Sequence, residues 1–471
     1  MLCGIDFGTR NTAIAKGTRR VTGPSGGTIP SFVAYSRLGL PRAIGERARL
    51  LLDDPSSAAS WDIHRSFKLR LPMSDGSLNC RSTSLAADFL ADALSLPSAG
   101  KSPVTGAVMA IPVGWAPAGR RALRRAAEQA GIRLAGFVSE STAAFAKYRD
   151  RFGSVDEVAV FDWGAGTLDI SVLHIAGGQH GVSSIEERHC ARSDAAGDTI
   201  DTVIAQRLHR QMQQSDQSLP DWEQVDPDER IRLCHQAEFA KIALSSHRVE
   251  SMPIVLAGYF GKSRTMALSA ADFDRAAEPV IDGAVATLLS ALAIAGTNER
   301  RVDAVLVVGG CAKIRGLESR LRAIFGERLH VTGDSEWAVA EGAQRIAEAG
   351  EGSYACVQEF CMILSDGLAV PLTDPGARFN GSAKTHVVGK VDDSPAAMLV
   401  FGERSLGQGS EPRTMGSLSV RSQGLPGEPI EVAASLDPDL FLRIHACPLL
   451  GNPSLDTVSL EYPNTRFEYR L

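Results

Sequence analysis

The chain has 471 residues, too many for a single hydrophobic core, so two or three domains are expected. Hydrophobic residues make up 44% and charged residues 22%, a balance typical of soluble globular proteins. The formal charge of −6 gives no electrostatic reason to expect nucleic acid or a membrane surface as partner. No apolar run is read as long enough to span a bilayer, and the first residues lack the basic-then-apolar pattern of a secretory signal. Eight cysteines are scattered without a CxxC or Cys/His metal spacing, the usage of reduced thiols in a cytoplasmic protein.

The chain opens MLCGIDFGTRNTAIAKG: apolar strand, Asp6, a turn through Gly8 and Thr9, apolar strand. Residues 1–35 read as a hairpin with a GPSGG turn at 23–27. Residues 84–95 and 116–131 read as helices; on the second, Arg120, Arg121, Arg124 and Arg125 read as a solvated face. Between them residues 104–115 form a buried strand that ends in a proline turn. DEVAVFDWGAGTLDISVLHIAGG, residues 156–178, repeats the opening design with Asp162 before its glycine turn. VDAVLVVGG, residues 302–310, is a third apolar strand, ending in Gly309 and Gly310. The duplicated plan predicts an α/β region of two lobes over residues 1–350. Past residues 348–353 helical periodicity disappears and short strands with Gly/Pro/Asp turns take over, so residues 351–471 read as a small all-β sandwich.

A tight glycine turn lets backbone N–H groups approach a phosphate chain, because no Cβ blocks the way. One such turn is weak evidence, since glycine hairpins are common. Three occur here at strand ends, and two carry an acid just before the turn. An acid cannot pair with phosphate directly; it needs a cation between them, a place Mg²⁺ commonly takes among carboxylates, waters and phosphate oxygens. The pattern predicts a cleft between lobes in which two hairpins grip a Mg²⁺-nucleotide.

These residues resemble the actin-like ATPase superfamily, and more specific matches favour the seventy-kilodalton heat-shock chaperone family. GIDFGTRNTAIA and VAVFDWGAGTLDIS resemble its two phosphate loops. AVMAIPVGWAPAGRRALRRAAEQAGIRLAGFVSESTAAFAKY resembles its proline-switch strand, helix and following strand. AAGDTID resembles its GGxxxD turn, AEFAKIALSS its adenosine-binding helix, and VLVVGGCAKIRGL with EWAVAEGA its last nucleotide loop and closing helix. Beyond the linker, LVFGERSLGQ, GSLSV and GLPGEPIEVAASLDPDLFLRIHACP resemble its peptide-binding β-sandwich. The implied fold is a two-lobed actin-like (ribonuclease H-like) ATPase domain followed by that sandwich.

By this resemblance Asp6, Asp162, Glu140 and Asp169 would orient the Mg²⁺ shell and the attacking water, with Asp6 and Asp162 acting on the metal largely through water. Gly8, Thr9, Asn11, Gly164, Ala165, Gly166 and Thr167 would contact phosphates. Lys68 would help position the γ-phosphate and water; aligning WDIHR instead gives His64 that place. Gly197 would lie over the phosphates. Glu238, Lys241 and Ser245, at i, i+3 and i+7, share a helix face that would hold ribose and adenine. Gly309, Gly310, Cys311 and Lys313 would pack near the adenine, with Glu336 at the far end. Pro112 resembles the switch proline that relays nucleotide state to the β domain.

The sequence also departs from that family. Arg10 replaces a small residue; it would add a charge-assisted phosphate contact or crowd the γ-site. Ser141 replaces a proline, and Cys311 and Lys313 replace a serine and an arginine, whose planar stacking lysine cannot reproduce. The linker EAGEGSYACVQEF is polar until residues 360–364, FCMIL, either the docking segment or the first sandwich strand. No helical lid is read before residue 471. The expected function is an ATP-dependent chaperone-like protein with low ATPase turnover, binding unfolded polypeptide or a dedicated partner, with J-domain-type or nucleotide-exchange co-chaperones. The alternative is a nucleotide-sensing adaptor with weak or no hydrolysis. A small-molecule kinase, which would lack the sandwich, and a filament former are the other readings.

Overall fold

A computed structural model describes residues 1–53, 60–73, 76–112, 115–152, 154–178, 181–246, 249–349, 353–405, 411–450 and 456–470. The domain junction expected at 350/351 and the end of LVFGERSLGQ lie outside the described residues.

Two mixed sheets share one plan. In the first, the strand order is Arg19–Val21, Asn11–Lys16, Leu2–Asp6, Gly106–Ile111, Leu134–Ser139. Leu2–Asp6 runs antiparallel to Asn11–Lys16, with Asp6 opposite Ala13, and parallel to Gly106–Ile111. In the second, Glu157–Trp163 runs antiparallel to Leu168–Gly178, with Asp162 opposite Asp169, and parallel to Ala304–Val308. GAVMAI and AVLVV are buried along their whole length, as parallel strands covered on both faces must be. The first hairpin therefore turns at residues 7–10; the turn at 23–27 leads instead to Ile29–Pro30 and on to Phe32–Ser36, which joins a separate small sheet with Trp61–Arg65.

The halves meet through a helix, Ala338–Glu348, packed between the first sheet and the helix Glu140–Tyr148. Two glycines make this approach possible. A Cβ on Gly4 would overlap the Ala340 carbonyl, and one on Gly342 would overlap the Ala143 carbonyl. Beside it one core runs through both halves, with Val108, Val138 and Phe145 packed with Val160, Leu306 and Val339.

Helix Ala270–Ile294 is, by length and composition, long and apolar enough to cross a membrane, contrary to the sequence reading. Its alanine-rich stretch hides this from inspection. Here Phe273, Ala277, Ile281 and Leu288 bury its inner face in the core of the second half.

The strands beyond the linker form two four-stranded sheets. One orders Ala369–Pro371, Gln358–Ile363, Ala396–Ser405, Arg413–Arg421; the other Ala383–Gly389, Pro429–Asp437, Phe441–Pro448, Val458–Tyr462. The apolar run at residues 360–363 is thus a sandwich strand. Strand Phe467–Arg470 leaves the sandwich, pairs with Gly181–Ser193 of the second large sheet, and receives the linker strand Ser353–Cys356 on its other side. Phe467 and Tyr469 alternate inward and pack edge-on and tilted against Tyr354 at centroid distances of 4.9 and 5.0 Å.

The arginine helix Pro117–Gln129 also departs from expectation. Its arginine stripe is an interface. Arg120 is 2% exposed and donates to the carbonyls of Trp115, Asp439, Leu440 and Pro463. Arg121 pairs with Glu461 at 2.7 Å and Arg124 with Asp439 at 2.9 Å. Helical spacing shows which side carries the charges; it does not show that a sandwich lies against them.

Candidate nucleotide site between two glycine hairpins

The repeated strand–acid–turn design puts Asp6 and Asp162 at matching ends of two central strands. The turns after them face each other, so that a Cβ on Gly166 would come within 3.4 Å of Thr9. Between them lies a cavity of about 120 Å³. Asp6, Glu140, Asp162 and Asp169 line it, with Lys68 as the amine among them. Gly8, Thr9, Arg10 and Asn11 close one side, Gly164, Ala165, Gly166 and Thr167 the other, and Gly309, Gly310 and Glu336 a third. The cavity is smaller than the roughly 300–1,000 Å³ usual for small-molecule pockets.

Lys68 Nζ lies 3.2 Å from Glu140 Oε1, with both side chains about a tenth exposed. His64 instead pairs with Asp62 at 3.1 Å, outside the cavity, so of the two alternatives Lys68 occupies it. Burial, then the Glu140 charge, pushes the Asp6 carboxyl up to about 7, against the pull of Lys68. The same causes push Asp169 up to about 6. Asp162 is raised well above the usual carboxylate range, again by burial first and then by Glu140, Asp6 and Asp169. Four acids with one amine form a floor short of positive charge, and that shortage fits a divalent cation. Among the described residues no three His, Cys, Asp or Glu side chains converge as metal ligands. A hydrated cation, held through its waters, is the form that suits this floor.

The loops are fixed by backbone contacts. Gly164 N–H donates to Thr167 at 2.9 Å, and Asp198 N–H, in the first turn of helix Gly197–Ser215, donates to the Ala165 carbonyl at 2.7 Å. Gly309 has φ +87°, and a Cβ there would sit 2.5 Å from Asp162 Oδ1.

The residues expected around ribose and adenine lie beside the cavity, and several are engaged with one another. Lys241 Nζ donates to Asp201 at 2.7 Å and to the Gly197 carbonyl at 3.2 Å. Cys311 is buried against Gly197, and burial pushes its thiol up to about 12. Ser245 accepts from Arg315 N–H at 3.4 Å. Glu238 lies 3.8 Å from Arg10, and Lys313 lies 3.9 Å from Glu336. Sequence reasoning missed Ala13, Thr28, Ser335 and Val339, which also line the cavity. Ser335 Oγ donates to the Gly309 carbonyl at 3.1 Å and so braces that loop. It stands next to Glu336 in EWAVAEGA, and that proximity was the one available signal.

Paired strand–acid–glycine hairpins across a carboxylate floor define a class of two-halved protein with a cleft between its lobes. Within that class the chain belongs to the Hsp70 family: the family model described as Hsp70 protein matches residues 82–378, more than half of the chain. That family implies a two-lobed actin-like ATPase domain, and the mixed α/β halves and strand-rich C-terminal region here are consistent with it. Relatives include the chaperone protein DnaK of Akkermansia muciniphila, 27% identical over 379 residues, spanning 73% of this chain and 58% of the relative. Homologues of the chaperone protein HscA from Acidithiobacillus ferrooxidans are 30% identical over 267 residues, spanning 57% of this chain and 40% of theirs. The chain therefore matches less than two thirds of the length of these relatives.

Proposed function

We propose that the chain is an ATP-dependent chaperone-like protein. It binds ATP with Mg²⁺ between its two actin-like lobes, hydrolyses it slowly to ADP and phosphate, and uses the change to alter how its β-sandwich holds polypeptide. The observation that carries this reading is the cavity where two glycine hairpins face each other over Asp6, Asp162, Asp169 and the Lys68–Glu140 pair.

The backbone amides of Gly8–Asn11 and Gly164–Thr167 would grip the phosphates, as glycine turns at strand ends do. Asp6 and Asp162 would hold the metal's waters. Magnesium, when bound, would neutralise phosphate charge and lower the barrier to attack by water. Glu140 and Asp169 would orient that water, and Lys68 would stabilise charge on the phosphate. Glu238, Lys241, Ser245, Cys311 and Lys313 would bound the nucleoside once the lobes part. Eight free thiols suit a reducing, cytoplasmic setting. Unfolded polypeptide, and co-chaperones of J-domain or nucleotide-exchange type, are the partners this reading implies.

ATP turnover measured with and without an unfolded peptide tests it. A slow basal rate raised by peptide is expected; no turnover change and no peptide binding in either nucleotide state would exclude the chaperone role.

One observation favours a second reading, a nucleotide-sensing adaptor with one dedicated protein partner. The linker strand and strand Phe467–Arg470 both lie in the same ATPase-lobe sheet, so the sandwich is tethered at both ends. Capture of a single stoichiometric partner by the full chain would support it; a broad spread of unfolded clients would not.

A further inference from the structure

Arg10 stands in the first glycine turn, and its carbonyl accepts from Ser31 N–H at 2.7 Å. Its side chain crosses the cleft and is only 10% exposed. Nε donates to Asp198 Oδ1 at 2.9 Å, which holds the guanidinium to the opposite half. Its Nη1 faces Glu238 at 3.8 Å, an ion pair beyond hydrogen-bond reach, and is buried without a hydrogen bond. The residue after Ser31, Phe32, pairs with Arg65, so the sheet carries Arg65 to the same place. The NH1 of Arg65 is also buried and without a partner. Burial, and next the Arg10 charge, pull its guanidinium below the usual range, whereas Asp198 and Glu238 pull it up.

Asp198 and Glu238 offset part of the positive charge, yet each guanidinium keeps one buried N–H without a hydrogen bond, a cost that a further anion there would relieve. Their fork geometry suits phosphate oxygens. Arg10 lines the phosphate cavity, while Glu238 sits on helix Pro227–Ser245 across from it.

We infer that Arg10 and Arg65 form a two-guanidinium subsite at the mouth of the cleft that takes a phosphate of the bound nucleotide, with Asp198 as the positioning residue that aims Arg10. The inference rests on the nucleotide reading above and adds to it a contact that no glycine motif supplies.

Equilibrium titration of the full chain with ADP and Mg²⁺, repeated over a range of salt concentrations, tests it. Arg10→Ser and Arg65→Ser are each expected to weaken ADP binding about 10–100-fold and to flatten its salt dependence. Arg10→Lys keeps the charge without the fork and recovers part of the loss. Asp198→Asn weakens ADP binding less than Arg10→Ser does. The exchange Arg10→Asp with Asp198→Arg rebuilds a cross-cleft ion pair without the phosphate contact, and ADP binding should stay weak. Unchanged ADP affinity in both serine variants, or weakening with the salt dependence intact, would overturn the subsite. Recovery in the exchanged pair would overturn it too, by showing a simple clasp between halves. Should a serine variant fail to melt as a folded protein, Arg10→Lys carries the same reading. Wild-type protein that binds no ADP would overturn the nucleotide reading itself, and the subsite with it.

Discussion

Lys68 and Glu140 form a sheltered pair at the floor of the cleft, and beside them stand three carboxyls that burial and mutual repulsion push above the usual carboxylate range. Removing the amine leaves Glu140 without its cation and, on the proposed function, the phosphate without its lysine. Lys68→Ala should lower ATP turnover by about 100-fold or more while nucleotide still binds, read by single-turnover kinetics beside calorimetry. The carboxyls make a pH prediction with a definite sign. Asp6 titrates near 7 in the folded protein and near 4 when unfolded, so between those values the folded state binds the extra proton. Its contribution to stability is present below about pH 4 and is lost as pH rises to about 7. Asp6→Asn should therefore melt above the nucleotide-free wild type at pH 8, with the gap closing towards pH 4, and should lose Mg²⁺-dependent ATP turnover. A gap that grows on acidification would contradict the charge-starved floor. The acids and glycines of both loops were legible in the sequence because strand, acid and turn are neighbours in the chain. Thr28 was not, because only the fold brings it to the cleft.

Individual elements carry the next level. Helix Ala338–Glu348 crosses the helix Glu140–Tyr148 where Gly342 lies on the Ala143 carbonyl, and this crossing ties the halves together beside the site. Gly342→Ala would force the helices apart and should cost about 1–3 kcal/mol, measured by urea unfolding. A neutral result would mean that the crossing is loose. The duplicated hairpins and the switch from helical to short-strand periodicity revealed most of the architecture, since each is a local pattern. The arginine helix was misread for a physical reason. An amphipathic helix presents one charged stripe whether water or an acidic surface faces it, and Asp439 and Glu461 lie more than three hundred residues along the chain. Strand Phe467–Arg470 was equally hidden, because its inward Phe467 and Tyr469 alternate as any half-buried strand does and say nothing about which sheet receives them.

For the whole molecule, the sandwich rests on the first half through Arg120, Arg121 and Arg124 and on the second through two strands with their aromatic residues. Charged contacts at the surface fade when salt shortens the screening length to about 3 Å at 1 M, whereas a backbone ladder and packed aromatic rings do not. The radius of gyration from small-angle scattering should stay constant from low to high salt, and Phe467→Asp should expand the molecule. Expansion by salt alone would mean that the arginine contacts, not the strands, hold the sandwich.

The roles proposed for Lys68, Asp6 and their neighbours presuppose that the carboxylate-floored cavity accepts a metal-bound adenine nucleotide. Titration calorimetry of the intact chain with ATP, in the presence and absence of Mg²⁺, tests this most directly. Saturable binding of one nucleotide per chain, lost when magnesium is withdrawn, is the predicted result. Flat heats in both conditions would contradict it.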